Sequence, residues 1–137
     1  MSRSLLLHND TRELQRLVEF IDELCCQFGL DKECTMSLQL ALEEVVVNVM
    51  QYAYAPGTTG DIVVSAEYDA GRLLFSIEDD GLLFDPTEVA EANVVLPADE
   101  REIGGLGIYI VRQIMDRVEY SRLGERNILR LTKIIKR

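Results

Sequence analysis

The 137 residues predict an α+β domain, a two-layer sandwich with three helices on one face of a mixed, mostly antiparallel sheet. Three observations carry that expectation. Residues 61–68 and 72–79 alternate apolar and polar side chains on either side of Asp69-Ala70-Gly71, as a hairpin does. Before them, two longer segments repeat apolar residues at helical spacing, each bounded by capping and stop residues. After them come a third helical stretch and a second alternating pair, 118–123 and 126–135, around Gly124-Glu125.

In chain order, Leu5-Leu6-Leu7 is a short edge strand. Asn9 or Asp10 caps a helix through about Phe28, with Leu14, Leu17, Val18, Ile21 and Leu24 on one face and Gly29 as its stop. Asp31 caps a second helix to about Ala53, ended by Pro56-Gly57. In the hairpin, Ile62, Val64, Ala66 and Tyr68 share one face, as do Leu73, Phe75 and Ile77. Residues 82–103 lack periodicity and contain Pro86 and Pro97, a length that marks a functional or disordered loop. A third helix begins near Gly105, with Ile108, Val111, Met115 and Val118 on one face.

The chain length suits a single domain, 1–137, with one core. No apolar run approaches the roughly 20 residues of a membrane span, and Met1-Ser2-Arg3-Ser4 leads into only three leucines, so a cytoplasmic location without membrane contact is expected. The net charge of −10 argues against nucleic-acid binding, which needs clustered Lys and Arg. The charge is also uneven. Residues 85–103 hold six acids against one base, and residues 117–137 hold seven bases against two acids. Solvated surfaces of opposite sign explain this; an acidic loop facing a protein partner is the sharper alternative. Three cysteines and a single distant histidine, His8, give no metal-ligand spacing.

Three short motifs carry chemistry. In the second helix, Leu38, Leu42, Val45 and Val49 form a core stripe, while Glu44, Asn48 and Gln51 line the roughly opposite side between Leu40, Val47 and Ala41. A narrow polar strip in an apolar helix reads as the wall of a cavity; a solvated Glu-Asn pair is the plain alternative. Asp79-Asp80-Gly81 ends a strand, which is ordinary turn chemistry. It is also a way to fix a carboxylate against an exocyclic amine, with Gly81 letting the backbone pass a flat ring. Gly104-Gly105-Leu106-Gly107 opens a helix whose free N–H groups suit phosphate oxygens, although no Walker or Rossmann fingerprint is present.

In this order the three motifs resemble those of the Bergerat-fold ATPases, the group shared by gyrase, heat-shock chaperone ATPases, histidine kinases and mismatch-repair ATPases. Glu44-x-x-x-Asn48 resembles their N box, Asp79-x-Gly81 and Gly105-x-Gly107 their two glycine boxes. Almost the whole chain is similar to the anti-sigma-factor serine kinases of bacterial stress and sporulation control. Gly81-Leu82-Leu83-Phe84-Asp85, Gly104-Gly105-Leu106-Gly107-Ile108 with Met115-Asp116, and Leu131-Thr132-Lys133 carry that similarity. Two departures are Leu83, where the wider group often has glycine, and Tyr52, where this family often has histidine.

The resemblance implies an ATP- and Mg²⁺-dependent protein serine/threonine kinase. Glu44 would be the general base, Asn48 the Mg²⁺ ligand, and Asp79 with Gly81 the adenine reader. Gly104, Gly105 and Gly107 would cradle phosphates, residues 85–103 would form the ATP lid, and Thr132 would support the adenine pocket through a water. It also implies a homodimer whose partners are a sigma factor and an anti-sigma-factor antagonist phosphorylated on serine. Two alternatives use the same residues: a nucleotide-dependent binding module without turnover, and a stand-alone histidine kinase-type domain.

Overall fold

The computed structural model describes residues 2–87 and 105–135, with the side chains of 105–107 excepted. Its elements are β1 (Ser2–His8), a 3-10 turn (Thr11–Glu13), α1 (Leu14–Gln27), α2 (Lys32–Tyr52), β2 (Asp61–Asp69), β3 (Arg72–Asp79), α3 (Gly105–Ile114), β4 (Arg117–Leu123) and β5 (Arg126–Ile134). The five strands lie in the order β1-β2-β3-β5-β4, and every pairing is antiparallel. The mixed sheet expected from sequence is therefore antiparallel throughout the described residues.

Local chemistry places the element ends. Asp10 accepts from the Arg12 N–H at 2.9 Å and opens the 3-10 turn. Hydrogen bonding from the Arg12 side chain and N–H pulls the Asp10 carboxyl down to about 2. Asp31 caps α2 through the Cys34 N–H at 2.7 Å. After α1 the chain turns at Gly29, where φ is +68°. The β2–β3 hairpin closes on Ala70 and Gly71 with φ of 51° and 79°, the left-handed pair of a two-residue turn. Glycine takes that conformation freely, whereas Ala70 pays a steric cost for its Cβ.

One face of the sheet carries the core. Leu7, Ile62, Val64, Ala66, Leu73, Phe75, Ile77, Leu129 and Leu131 are buried beneath the helices. Leu17, Ile21 and Leu24 of α1 and Leu38, Leu42, Val45 and Val49 of α2 cover them, with Ile108 and Val111 of α3. Helix α2 packs against both α1 and α3, so it is apolar around most of its circumference. On the opposite face, Ser65, Glu67, Ser76 and Arg130 meet solvent.

The end of the third helix differs from the sequence expectation. Helix α3 ends at Ile114, and Val118 belongs to β4, paired with Leu131. Helical and strand spacing both place Val118 beneath the helices, so periodicity could not separate them. The expected lid, residues 85–103, lies outside the described residues from residue 88 onward. No helix among the described residues is long and apolar enough to cross a membrane.

Candidate nucleotide site

Asp79 is the last residue of β3 and continues the inward face set by Leu73, Phe75 and Ile77. The same alternation that buries those side chains buries its carboxylate, which is 1% exposed. Oδ1 accepts from the Gly81 N–H and from Asn127 Nδ2, each at 2.9 Å. Oδ2 receives no donor among the described residues. Burial pushes the Asp79 carboxyl above the usual carboxylate range; the Asn127 and Gly81 hydrogen bonds and the Arg122 charge oppose this, and Asp80 adds to it.

The turn after Asp79 is docked on the C-terminal end of α2. Leu82 N–H donates to the Ala53 carbonyl at 2.7 Å. A Cβ on Gly81 would stand 2.3 Å from that same oxygen. Glycine is required here by the helix end, a nearer constraint than the flat ring the sequence brought to mind. Beside it, the Tyr54 hydroxyl lies 2.8 Å from Asp80 Oδ1 and accepts from the Asp80 N–H at 3.3 Å. Burial first, and then Asp80, push the Tyr54 hydroxyl above its ordinary value.

Asn48 lies one turn before Tyr52, at the end of α2. It is 3% exposed, yet its side-chain amide has no hydrogen bond among the described residues. No buried side-chain nitrogen or oxygen lacks a partner among those residues, so the Asn48 amide must reach accessible space. Glu44, one turn earlier, is half-buried, with no side-chain hydrogen bond or ion pair among the described residues, and Gln51 is exposed. The strip thus runs from half-buried Glu44 through buried Asn48 to solvent.

Helix α3, packed on α2, begins at Gly105 with Gly107 in its first turn, where backbone N–H groups have no intrahelical acceptor. Gly104 lies outside the described residues. The segment entering the undescribed stretch is pinned at two points. Phe84 stacks on Tyr52 with ring centroids 5.3 Å apart, and Arg112 of α3 donates to the Thr87 carbonyl at 3.1 Å.

Thr132 does not join this group. It pairs with Leu74 and Arg117 on the outer face of the sheet, whereas Asp79 points inward and pairs with Asn127. The β5 residue that touches Asp79 is Asn127, which sequence reasoning missed. Its one signal was alternation: Asn127, Leu129 and Leu131 share a face, leaving a polar side chain at a core position.

Residues 7–133 match the family of histidine kinase-like ATPase domains. The serine/threonine-protein kinase BtrW of Bordetella bronchiseptica is 27% identical over 96 residues, covering 70% of this chain and 68% of that protein. The serine-protein kinase RsbW of Listeria innocua is 27% identical over 95 residues, covering 66% of this chain and 60% of that protein. Among solved structures, the RsbU and RsbW domains of Rv1364c from Mycobacterium tuberculosis superpose with a TM-score of 0.72 at 16% identity, covering the whole chain and 33% of that one. The histidine kinase AdeS of Acinetobacter baumannii does so with a TM-score of 0.54 at 15% identity, over 98% of this chain and 70% of its own. At these identities the structural likeness is one of fold.

Proposed function

The chain belongs to the histidine kinase-like ATPase domain family, and from that premise we propose that it is an ATP-dependent serine/threonine protein kinase acting as an anti-sigma factor. Its substrate is a serine on a small antagonist protein, and it holds a sigma factor when that antagonist is absent or phosphorylated. The observation that carries the nucleotide reading is Asp79: a buried carboxylate with one oxygen accepting two hydrogen bonds and the other free of donors among the described residues. An exocyclic adenine amine supplies the missing donor.

Asn48 has the chemistry for a metal ligand, being a buried amide that nothing in the described protein occupies. No group of three or more His, Cys, Asp or Glu among the described residues could hold a cation, so Mg²⁺ would arrive with the nucleotide, with Asn48 as its protein ligand. When bound, Mg²⁺ would supply charge neutralisation for the nucleotide's phosphates. The first-turn N–H groups at Gly105 and Gly107 bind phosphate oxygens, with the helix dipole favouring the charge. Glu44 orients the incoming serine hydroxyl and takes its proton. Positioning supplies most of the rate, because phosphoryl transfer asks little covalent chemistry of the protein. Homodimerisation through β1 and α1 belongs to the same reading; β1 is an edge strand whose outer side has no partner strand among the described residues.

Calorimetric titration with Mg·ATP and Mg·ADP tests the site, with Asp79→Asn alongside. Binding that the substitution removes supports it, and a folded protein that binds neither nucleotide overturns it. Transfer of label from ATP to a serine of the antagonist tests the kinase. Nucleotide-dependent capture of the antagonist without transfer would leave a binding module, and label on histidine a histidine kinase.

A further inference from the structure

The side chain of Asn127 is held by five polar groups. Nδ2 donates to Asp79 Oδ1 at 2.9 Å and to the Leu82 carbonyl at 2.8 Å. Oδ1 accepts from Arg122 Nη1 at 3.0 Å, from the Phe84 N–H at 3.3 Å, and from the Tyr120 hydroxyl. Turning the amide over would set its NH₂ against two obligate donors, the Phe84 N–H and Arg122 Nη1, and its oxygen against two acceptors, so one orientation is selected. With only 3% of its surface exposed, Asn127 has no water to relax into. It is fixed with its donor toward Asp79.

We infer that Asn127 is a positioning residue for base recognition: holding Asp79 Oδ1 and the Leu82–Phe84 backbone together, it presents Asp79 Oδ2 as an acceptor for an exocyclic amine and so sets a preference for aminopurine over ketopurine nucleotides. The inference rests on the nucleotide reading above. A ketopurine would bring its carbonyl oxygen against that carboxylate, two acceptors without a proton between them. Both Asn127 protons are already committed, so the amide cannot swing round to donate to the keto group. Phe84, whose N–H Asn127 accepts, stacks on Tyr52, so the same amide also fixes an aromatic wall beside the Asp79 turn. Among the described residues, the charged and titratable groups that act on Asp79 are Arg122 from β4, Asp80 from its own turn and Tyr54, two residues past α2.

The test titrates wild type, Asn127→Ala, Asn127→Asp and Asp79→Asn with Mg·ATP and with Mg·ITP, which carries a keto oxygen in place of the amine, from mildly acidic to neutral pH. In Asn127→Ala the preference for ATP over ITP is expected to fall about tenfold. The acidic limit of ATP binding moves to higher pH, because charged Asp79 has lost a donor. Asn127→Asp keeps the shape and the acceptor but loses the donor at neutral pH. Two adjacent carboxylates retain a proton more readily, and that proton restores the bond to Asp79. Its ATP affinity should therefore rise on mild acidification, where that of wild type falls. An unchanged ATP:ITP ratio and acidic limit in Asn127→Ala, with ATP binding lost in Asp79→Asn, would overturn this inference alone, whatever the change in melting temperature. Wild type that binds neither nucleotide would overturn the nucleotide reading, and this inference with it.

Discussion

Gly81 and the Ala53 carbonyl are in such close approach that a single added carbon at position 81 would stand 2.3 Å from the oxygen. The strand-end turn and the end of α2 are thereby locked together, which sets Asp79 relative to the helix that carries Glu44 and Asn48. Gly81→Ala must push the turn away from the helix. We expect a loss of about 1–3 kcal/mol in stability, read by urea unfolding, together with weakened ATP binding. A Gly81→Ala protein as stable as wild type would show that this contact does not constrain the turn.

Asp79→Asn separates binding from stability. Removing the carboxylate should abolish measurable ATP binding while leaving the melting temperature at neutral pH unchanged or higher. Burial raises the folded-state carboxyl above its unfolded value, so the folded protein favours the protonated form. The contribution of Asp79 to stability is therefore full below the unfolded value and is lost as pH rises through the raised folded one. Differential scanning calorimetry across that window should show a slope in wild type that is reduced in Asp79→Asn.

The same protonation sets an acidic limit on nucleotide binding. Protonated Asp79 loses the free acceptor that the amine needs, so ATP affinity should decline as pH falls through the raised value. The decline should begin at higher pH than an ordinary carboxylate would give. Calorimetric titration across mildly acidic pH measures it, and a flat profile would exclude the ionised carboxylate from recognition.

Glu44→Gln should leave ATP binding within about twofold and reduce phosphoryl transfer by about a hundredfold or more, since a general base contributes to the reaction without holding the ground-state nucleotide. Single-turnover transfer with saturating nucleotide separates the two effects. Retained transfer would remove Glu44 from the assigned role.

Ala70 adopts φ of 51° in a two-residue turn, where Gly71 beside it takes 79° without steric cost. Ala70→Gly should stabilise the protein by about 1 kcal/mol, part of the relieved strain being offset by greater freedom in the unfolded chain. The turn lies at the opposite end of β3 from Asp79, so ATP affinity should not change.

Periodicity and punctuation were enough to place the helices and strands, because both act locally. Asp31 caps α2, Gly29 ends α1, and alternation in β2 and β3 marks which side chains face the helices. Val118 shows the limit of that reasoning: its apolar side chain points to the core whether the backbone is helix or strand, and only pairing with Leu131 shows that it is strand.

The sequence alone determined the α+β class, the order of the motifs and the position of Asp79 at a strand end, each of which follows from neighbours within a few residues. The tertiary structure decided which β5 side chain meets Asp79. Register between β3 and β5 depends on residues 48 apart in the chain, as the Asn127–Asp79 bond is. Thr132 and Asn127 are separated by an odd number of positions on a strand whose side chains alternate, so they fall on opposite faces. Once Asn127 is paired with Asp79, Thr132 must face outward. Alternation within β5 marks Asn127 only as a polar side chain at a core position; pairing is what brings it to Asp79.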